Sequence, residues 1–296
     1  MSRIVAISGA AGFVGRRLVT RLIELGYEVI ALDLVDPQIT GSIFHFFDIG
    51  DDLMHKKVNL PKNSVFVHLA AMSTDSQCKQ DIIGAVNINL VGTARVIDLV
   101  NLSSCSKLIF ASSEWVYPEK QDQKLQTEHE SLELENLNSL YAMTKLMGEN
   151  LVRVACKIPS IILRFGIVYG PRSKAGSAPE SISYKIAQGE DVSVGAGKTS
   201  RRFIYVDDLV EGIVSAIEGD VPQFNSIYNL SGSELISLIH VAETAQRITG
   251  NNVEVIDGGA LPSIRNPDPS RFIKDFGFTP HISLADGLKA CIDAMG

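Results

Sequence analysis

Tyr141 and Lys145, four residues apart, are the pair of residues in this sequence most clearly suited to acid–base chemistry. The surrounding stretch, SLYAMTKLMGENLVRVACK, has the apolar spacing of a helix, so both side chains project from one face. A lysine ammonium close to a phenol favours the phenolate and lowers the pKa of the tyrosine. The pair therefore predicts a general base that works near neutral pH, although an ordinary amphipathic helix with a surface lysine has the same spacing.

A second group of reactive side chains follows the strand-like run KLIFASS. It consists of Ser113, Glu114 and Trp115, which is the only tryptophan of the chain. A serine hydroxyl at the end of a strand can hold a substrate oxygen, or it can cap a turn. Glu114 can donate or accept a proton, whereas Trp115 offers only its indole N–H. From the residues alone, turn capping is the simpler interpretation of Ser113.

A glycine-rich stretch, ISGAAGFVG, follows the first apolar run and opens the first helical pattern. Gly9, Gly12 and Gly15 would allow a tight turn, a close approach to a pyrophosphate and close packing of helix on strand. Asp33 follows Gly15 by 18 positions, near the roughly 20 expected for an acid that binds a ribose hydroxyl. The pattern predicts a dinucleotide site and favours NAD over NADP, because a carboxylate repels a 2′-phosphate. A turn without a ligand, and a turn role for Asp33, are the alternatives.

Short apolar runs alternate with amphipathic stretches through the first two-thirds of the chain. The strand-like runs are RIVAISG, YEVIALD, SVFVHLAA, KLIFASS and PSIILRFGIVYG. They are apolar on both faces, as buried parallel strands are, so the sequence predicts an α/β fold with a doubly wound parallel (Rossmann) sheet. After Gly170 glycine, proline and serine become frequent, which indicates a smaller, discontinuous C-terminal lobe. We expect residues 1–170 and 201–218 to form the NAD-binding domain, and residues 171–200 and 219–296 the substrate-binding lobe.

Composition limits the classes of function. The chain has 296 residues, a net charge of −7 and a pI near 5.4, which argue against nucleic acid or an anionic membrane as a partner. The cysteines at 78, 105, 156 and 291 have no metal-binding spacing, so we expect reduced thiols, no metal and a cytoplasmic location. The first residues do not read as a signal peptide, and no stretch reaches the roughly 18–20 apolar residues of a membrane span.

Taken together, these features resemble the extended short-chain dehydrogenase/reductase family, in its NAD-dependent epimerase/dehydratase group. The resemblance covers nearly the whole chain. It rests on short motifs in the family's order and spacing: GAAGFVG (9–15), Asp33, Asp48 in FFDIG, HLAA (68–71), NLVGT (89–93), FASSEWVYP (110–118), YAMTK (141–145), LRFGIVYGP (163–171), RRFIYVDDL (201–209) and YNLSG (228–232). It implies NAD as cofactor and a homodimer formed through the helices that carry NLVGT and YAMTK.

The resemblance also implies roles for individual residues. Tyr141 matches the base, Ser113 the hydroxyl that holds the substrate oxygen with it, and Lys145 the residue that also holds the nicotinamide ribose. Arg201 matches an arginine that grips a nucleotide diphosphate, and Arg265 is a candidate for a second one although its register looks wrong. Glu114 and Trp115 would line the substrate pocket. The residues expected to contact the cofactor are Gly9, Gly12, Phe13, Val14, Gly15, Asp33, Asp48, Ile49, Leu69, Ala70, Ala71, Tyr141 and Lys145.

Departures from the family pattern bear on the substrate and the reaction. Relatives that remove water from sugar nucleotides carry Asp then Glu where this chain has Glu114 and Trp115, and tryptophan cannot transfer a proton. Ile167 stands where relatives often have an asparagine that bonds the diphosphate. The resemblance implies an NAD-dependent epimerase, or a related oxidoreductase, that acts on a nucleotide sugar through a keto intermediate. Open alternatives are a dehydrogenase or reductase of a non-nucleotide alcohol or ketone, a dehydratase, and an NAD-binding regulatory protein.

Overall fold

A large parallel sheet forms the centre of the protein, which we describe from a computed structural model that covers residues 3–220 and 225–295. The strands along the chain are β1 (Ile4–Ser8), β2 (Glu28–Asp33), β3 (Ser42–Phe46), β4 (Val65–His68), β5 (Lys107–Ser113), β6 (Ser160–Phe165), β7 (Val168–Tyr169), β8 (Val192–Val194), β9 (Ser200–Arg201), β10 (Ile204–Tyr205), β11 (Ser226–Leu230), β12 (Ile236–Ser237) and β13 (Val255–Asp257). Seven of them form the sheet in the order β11-β6-β5-β4-β1-β2-β3, and every neighbouring pair is parallel.

Helices cover both faces of this sheet. The helices along the chain are α1 (Phe13–Glu24), α2 (Asp75–Gln80), α3 (Ile82–Val86), α4 (Gly92–Leu102), α5 (Leu140–Ala155), α6 (Ala178–Ala187), α7 (Val206–Glu218), α8 (Leu238–Thr249), α9 (Ser270–Phe276) and α10 (Leu284–Asp293). Leu18 of α1 and Leu209 of α7 belong to one apolar core, and Val96 of α4 and Val152 of α5 to the other. Because both faces are buried, the central strands are continuous apolar runs. The predicted doubly wound parallel sheet is confirmed.

The rest of the chain forms a third apolar cluster beside the sheet. Helices α6, α8 and α10 pack around it, and its buried members include Ile186, Val241 and Leu288. Strand β11 was expected in the substrate lobe, but it pairs with β6 at the edge of the large sheet. Helix α7 packs on α1, where residues 201–218 were expected to return. The division into an NAD-binding domain and a substrate lobe stays a prediction.

One helical segment is longer and more apolar than the sequence analysis anticipated. Helix α3, a π-helical stretch at Asn87–Val91 and α4 follow one another without a break. The resulting segment, Ile82–Leu102, has 21 residues and a mean hydropathy of 1.4, enough by length and composition alone to cross a membrane. In the structure 44% of its most apolar window is buried within the protein. A core helix has the same properties, so the segment is weak evidence for a membrane span.

A buried ion pair joins α5 to the sheet. Glu149 of α5 accepts two hydrogen bonds from the Arg164 guanidinium of β6, at 2.9 and 2.7 Å, and both side chains are almost fully buried. Ser112 of β5 donates to the same carboxylate. Arg164 also donates to the Tyr117 hydroxyl at 2.9 Å, and that hydroxyl donates to Asn229 at 2.8 Å. The network therefore connects α5 with three neighbouring strands.

Arg164→Leu is expected to lower the free energy of unfolding by about 3–5 kcal/mol, because it leaves the Glu149 carboxylate buried without its counter-charge. Urea unfolding followed by circular dichroism measures the change. Arg153→Leu on the exposed face of the same helix is the control, expected to stay within about 0.5 kcal/mol of the original protein. Equal losses in the two variants would contradict the role of the buried pair.

Candidate active site

The predicted base and the predicted hydroxyl lie together at the carboxyl end of β5. The Ser113 side chain lies close enough to the Tyr141 phenol to act on its pKa as a hydrogen-bond partner. Tyr141 lies in the first turn of α5, which begins at Ser139: the Ser139 hydroxyl accepts a hydrogen bond from the backbone N–H of Ala142 and donates one to Asp75 at 2.7 Å. This capping serine satisfies a free N–H of the helix and so fixes where α5 starts.

Lys145 lies one turn further along α5 and is fully buried. Its ammonium donates a hydrogen bond to the carbonyl oxygen of Ala111 at 2.8 Å. The nitrogen also lies 5.8 Å from the centre of the Tyr141 ring and 5.3 Å from that of Phe110. Burial lowers the pKa of Lys145 to about 8. The lysine is thus held beside the tyrosine ring, as the spacing of the pair predicted.

Burial dominates the ionisation of Tyr141. It raises the pKa of Tyr141 to about 12, while the hydrogen bond from Ser113 acts in the opposite direction. The sequence analysis expected Lys145 to lower this pKa, but the largest effect is the loss of hydration on burial, which favours the neutral phenol.

The glycine loop between β1 and α1 has the shape that a dinucleotide pyrophosphate requires. Gly9 has a φ of +79°, and a Cβ there would lie 2.6 Å from the backbone nitrogen of Ala70. A Cβ at Gly15 would overlap the Gly9 carbonyl oxygen. Gly12 begins α1 without a side-chain cap, so N–H groups of the first turn, at Phe13 and Val14, stay available for an anion. These residues fit the cofactor that the sequence predicts.

The remaining cofactor candidates lie at the ends of the neighbouring strands. The Asp33 carboxylate, at the end of β2, accepts hydrogen bonds from the backbone of Ala11 at 2.9 Å and of Leu34 at 2.7 Å. The other candidates are in the loops after β3 and β4: Asp48, Ile49, Leu69, Ala70 and Ala71. Because the strands are parallel, these loops open on the same edge of the sheet as the glycine loop. Their roles stay predictions.

The predicted substrate-binding residues also come together, from distant parts of the chain. The Trp115 and Tyr141 rings meet edge to face at 6.2 Å between centres. The Arg265 guanidinium lies over the Trp115 ring at 5.0 Å. Arg201, in β9, places its Nε atom 3.3 Å from Oε1 of Glu114. Sequence reasoning questioned the register of Arg265, yet the structure brings it beside the other three.

Glu114 is a buried acid without a full set of partners. Its side chain is 0% exposed, and within the described residues neither carboxylate oxygen has a partner in hydrogen-bond geometry. Burial raises the pKa of Glu114 to about 7, although Arg201 and Arg265 act to lower it. The acid therefore carries only part of a negative charge at neutral pH.

Three residues near the site received no individual role in the sequence analysis. His68 is buried, with Nδ1 2.7 Å from the Ser8 hydroxyl, and its pKa is lowered to about 3 by burial. Glu119 forms ion pairs with both Arg201 and Arg265. Arg202 donates to Asn266 and to loop carbonyls, which indicates a structural role. His68 stands in the HLAA motif, but no sequence signal pointed to Glu119.

Comparison with known proteins adds to this geometry. Residues 5–231 match the model of the "NAD dependent epimerase/dehydratase family". The UDP-N-acetyl-alpha-D-glucosaminuronate decarboxylase of Bacillus cytotoxicus is 28% identical, over 99% of this chain and 97% of the relative. The uncharacterized UDP-glucose epimerase YtcB of Bacillus subtilis is 28% identical, over 96% and 95%. The crystal structure of UDP-glucuronic acid 4-epimerase from Bacillus cereus, in complex with UDP-glucuronic acid and NAD, has a TM-score of 0.83 and 25% identity, over 99% and 98%.

Glu114→Gln is expected to change how stability depends on pH. In the original protein an unfolded glutamate ionises near pH 4.5, whereas buried Glu114 keeps its proton to about pH 7. The folded state binds more protons in that window, so its stability falls as pH rises from 4.5 to 7. The glutamine variant lacks this loss and should gain about 1–3 kcal/mol relative to the original as pH rises from 4.5, and the gain should level off above about pH 8.

Urea unfolding at pH 4.5, 5.5, 7 and 8 measures this difference. Glu135→Gln, at an exposed position, is the matched control. A difference between the Glu114 variant and the original that stays constant from pH 4.5 to 8 would contradict the burial of a neutral acid.

Proposed function

The chain belongs to the NAD dependent epimerase/dehydratase family, and on this basis we propose that it epimerises a nucleotide sugar through a keto intermediate. It is an enzyme whose cofactor is NAD. The observation that carries the proposal is the placement of Tyr141 next to Ser113 with buried Lys145 beside it, at the edge of the sheet where the glycine loop opens. The names of its relatives support a nucleotide-linked sugar as the substrate.

Each residue of the group has a distinct task in this reaction. When bound, NAD supplies reversible hydride transfer at the carbinol carbon. Tyr141 takes the proton of the hydroxyl group on that carbon. Ser113 donates a hydrogen bond to the same oxygen while it becomes a carbonyl oxygen. Lys145, held by Ala111, keeps a positive charge near the phenol. Return of the proton from Tyr141, with hydride added to the opposite face of the carbonyl, gives the epimer.

Trp115 supports epimerisation over dehydration. Removal of water from a sugar needs an acid and a base on the substrate in addition to Tyr141. Trp115 stands where relatives of the dehydratase type carry the second of two acids, and its indole contacts the Tyr141 ring. Since an indole cannot exchange a proton at neutral pH, only Glu114 remains on that side.

Decarboxylation is a second candidate, supported by a relative of that name and by the arginine pair Arg201 and Arg265. The same oxidation applied to C4 of a nucleotide-linked uronic acid gives a β-keto acid. Such an acid loses carbon dioxide without a further catalytic group. Analysis of the products of a uronic acid substrate separates the two reactions, since only one of them removes C6.

We include a homodimer and a cytoplasmic location in the proposal. Apolar side chains lie exposed on the helices that the resemblance assigns to a dimer: Ile83 is 83% exposed, Leu102 77% and Val154 87%. Helices α4 and α5 pack side by side, so two copies can form a four-helix interface. The four cysteines are buried and unpaired, which suits a reducing compartment.

Tyr141→Phe is expected to retain NAD but to lower kcat about 100- to 10,000-fold, because it removes the proton acceptor. An NMR assay with UDP-, GDP-, dTDP- and CDP-sugars identifies the substrate, and calorimetry measures NAD binding. Tyr27→Phe, distant from the site, serves as the control and should keep the original rate. A fully active Tyr141 variant, or a panel in which no sugar nucleotide changes, rejects the proposed function.

Ile83→Glu is expected to convert a dimer of about twice the 32.1 kDa chain mass into monomers, because it places a charge in the apolar interface. Size-exclusion chromatography with light scattering gives the mass directly. Leu261→Glu, at a loop position that is 84% exposed, is the matched control and should leave the mass unchanged. A monomeric original protein would reject the interface.

A further inference from the structure

Two guanidinium groups, one buried and one largely buried, converge on a single carboxylate oxygen near the candidate active site. Nη2 of Arg201 lies 3.4 Å from Oε1 of Glu119, and Nη2 of Arg265 lies 3.2 Å from the same atom. The two arginine side chains are 11% and 8% exposed, whereas the Glu119 side chain is 51% exposed. The position between the arginines is therefore an anion site, and the group that fills it is the most accessible of the three.

The protein holds both arginines from behind, independently of Glu119. Arg201 donates to the carbonyl oxygen of Ser263 at 2.6 Å and to its hydroxyl at 2.7 Å. Arg265 donates from Nε to the carbonyl oxygen of Tyr117 at 3.0 Å and stacks over Trp115. These contacts keep the donors in place when the carboxylate leaves. A site of this kind is organised for an anion before the anion arrives.

The site also has unused capacity to bind an anion. Nη1 of Arg265 is buried and, within the described residues, has no hydrogen-bond partner. Burial and the neighbouring Arg201 charge both lower the pKa of Arg265, so the arginines repel each other. Glu114 compensates this only in part, because its own pKa is raised to about 7. An anion with more charge or more oxygens than Glu119 satisfies the pair better.

The site lies one indole ring away from the proposed base. Trp115 contacts Arg265 at 5.0 Å and Tyr141 at 6.2 Å, measured to ring centres. A sugar whose hydroxyl meets Tyr141 can therefore extend an anionic group to the arginine pair. That group is either the diphosphate of the nucleotide or a carboxylate on the sugar.

Resting on the proposed function, we propose that Glu119 is an internal competitor of the substrate: its carboxylate occupies the position of the substrate's anionic group and must be displaced on binding. The apparent affinity then equals the intrinsic affinity multiplied by the fraction of molecules in which Glu119 has moved away. Because both arginines stay in place, the exchange alters the affinity for the substrate and leaves the reacting groups untouched. Glu119 thus raises the substrate concentration that is needed for half-saturation.

Glu119→Gln tests this competition, since glutamine keeps the volume and removes the charge. We expect the Kd for inorganic pyrophosphate, measured by calorimetry on the full chain, and the KM for the sugar nucleotide to fall about 3- to 10-fold, as loss of two partly exposed ion pairs implies. The kcat should stay unchanged. Glu130→Gln, which breaks the ion pair with Lys120 at 3.3 Å, is the matched control and should alter none of these values.

The probes distinguish the two sources of the anion. Tighter binding of pyrophosphate, UDP and UDP-glucose to the variant identifies the diphosphate as the competitor of Glu119. Tighter binding of free glucuronate, together with a gain for UDP-glucuronic acid over UDP-glucose, identifies the sugar carboxylate. Either pattern supports the proposal, and the gain should shrink in 0.5 M salt.

Unchanged or weaker binding of every probe to Glu119→Gln would overturn the proposal and leave Glu119 as a stabilising counter-ion. This outcome is separate from the fate of the proposed function. If sugar nucleotides are turned over but the variant shows no gain, only the competition is rejected. If pyrophosphate or glucuronate binds more tightly to the variant while no sugar nucleotide reacts, the competition stands and the proposed function falls.

Discussion

Three consecutive residues of β5 face three residues spaced by one helical turn on α5, and the site depends on this match. The carbonyl of Ala111 accepts from Lys145, Ser112 donates to Glu149, and Ser113 lies next to Tyr141. Positions 141, 145 and 149 lie along one face of a helix because they are four residues apart. A shift of α5 by one residue would break all three contacts. The strand end and the helix therefore position Ser113, Tyr141 and Lys145 together.

The same burial that makes this match rigid also suppresses ionisation. It raises the pKa of Tyr141 to about 12 and lowers that of Lys145 to about 8. The neutral phenol is therefore favoured over the phenolate that a general base needs. In the proposed reaction, a bound oxidised nicotinamide would add a positive charge that favours the phenolate. Proton abstraction would then depend on the presence of the group that takes the hydride.

Local patterns in the sequence predicted the sheet, the glycine loop and the pair of Tyr141 and Lys145, because each depends on residues close together in the chain. Contacts between segments that are distant in the chain were not predicted. Glu149 and Arg164 lie in different elements, and neither has a pattern that indicates a buried ion pair. Arg265 comes from a loop rich in glycine and proline, where the spacing of residues does not fix the alignment with the family's second arginine. The role of Glu119 could not be predicted, because it depends on the ion pairs that Arg201 and Arg265 both form with this residue. The pKa of Tyr141 was misjudged because burial cannot be read from the spacing of two residues.

Trp115 separates two kinds of chemistry within the site. On one side the indole contacts Tyr141, the proposed base; on the other it packs against the Arg265 guanidinium, which belongs to a charged cluster with Glu119. An indole neither gives nor takes a proton at neutral pH, so it does not relay a proton between the two sides. With a proton-transfer group in its place, a keto sugar held at Tyr141 would have an acid or base beside it and could proceed to elimination. With tryptophan there, elimination has one proton-transfer group fewer, while return of the hydride and loss of a β-carboxylate both remain open to the ketone. In the proposed reaction Trp115 therefore disfavours loss of water.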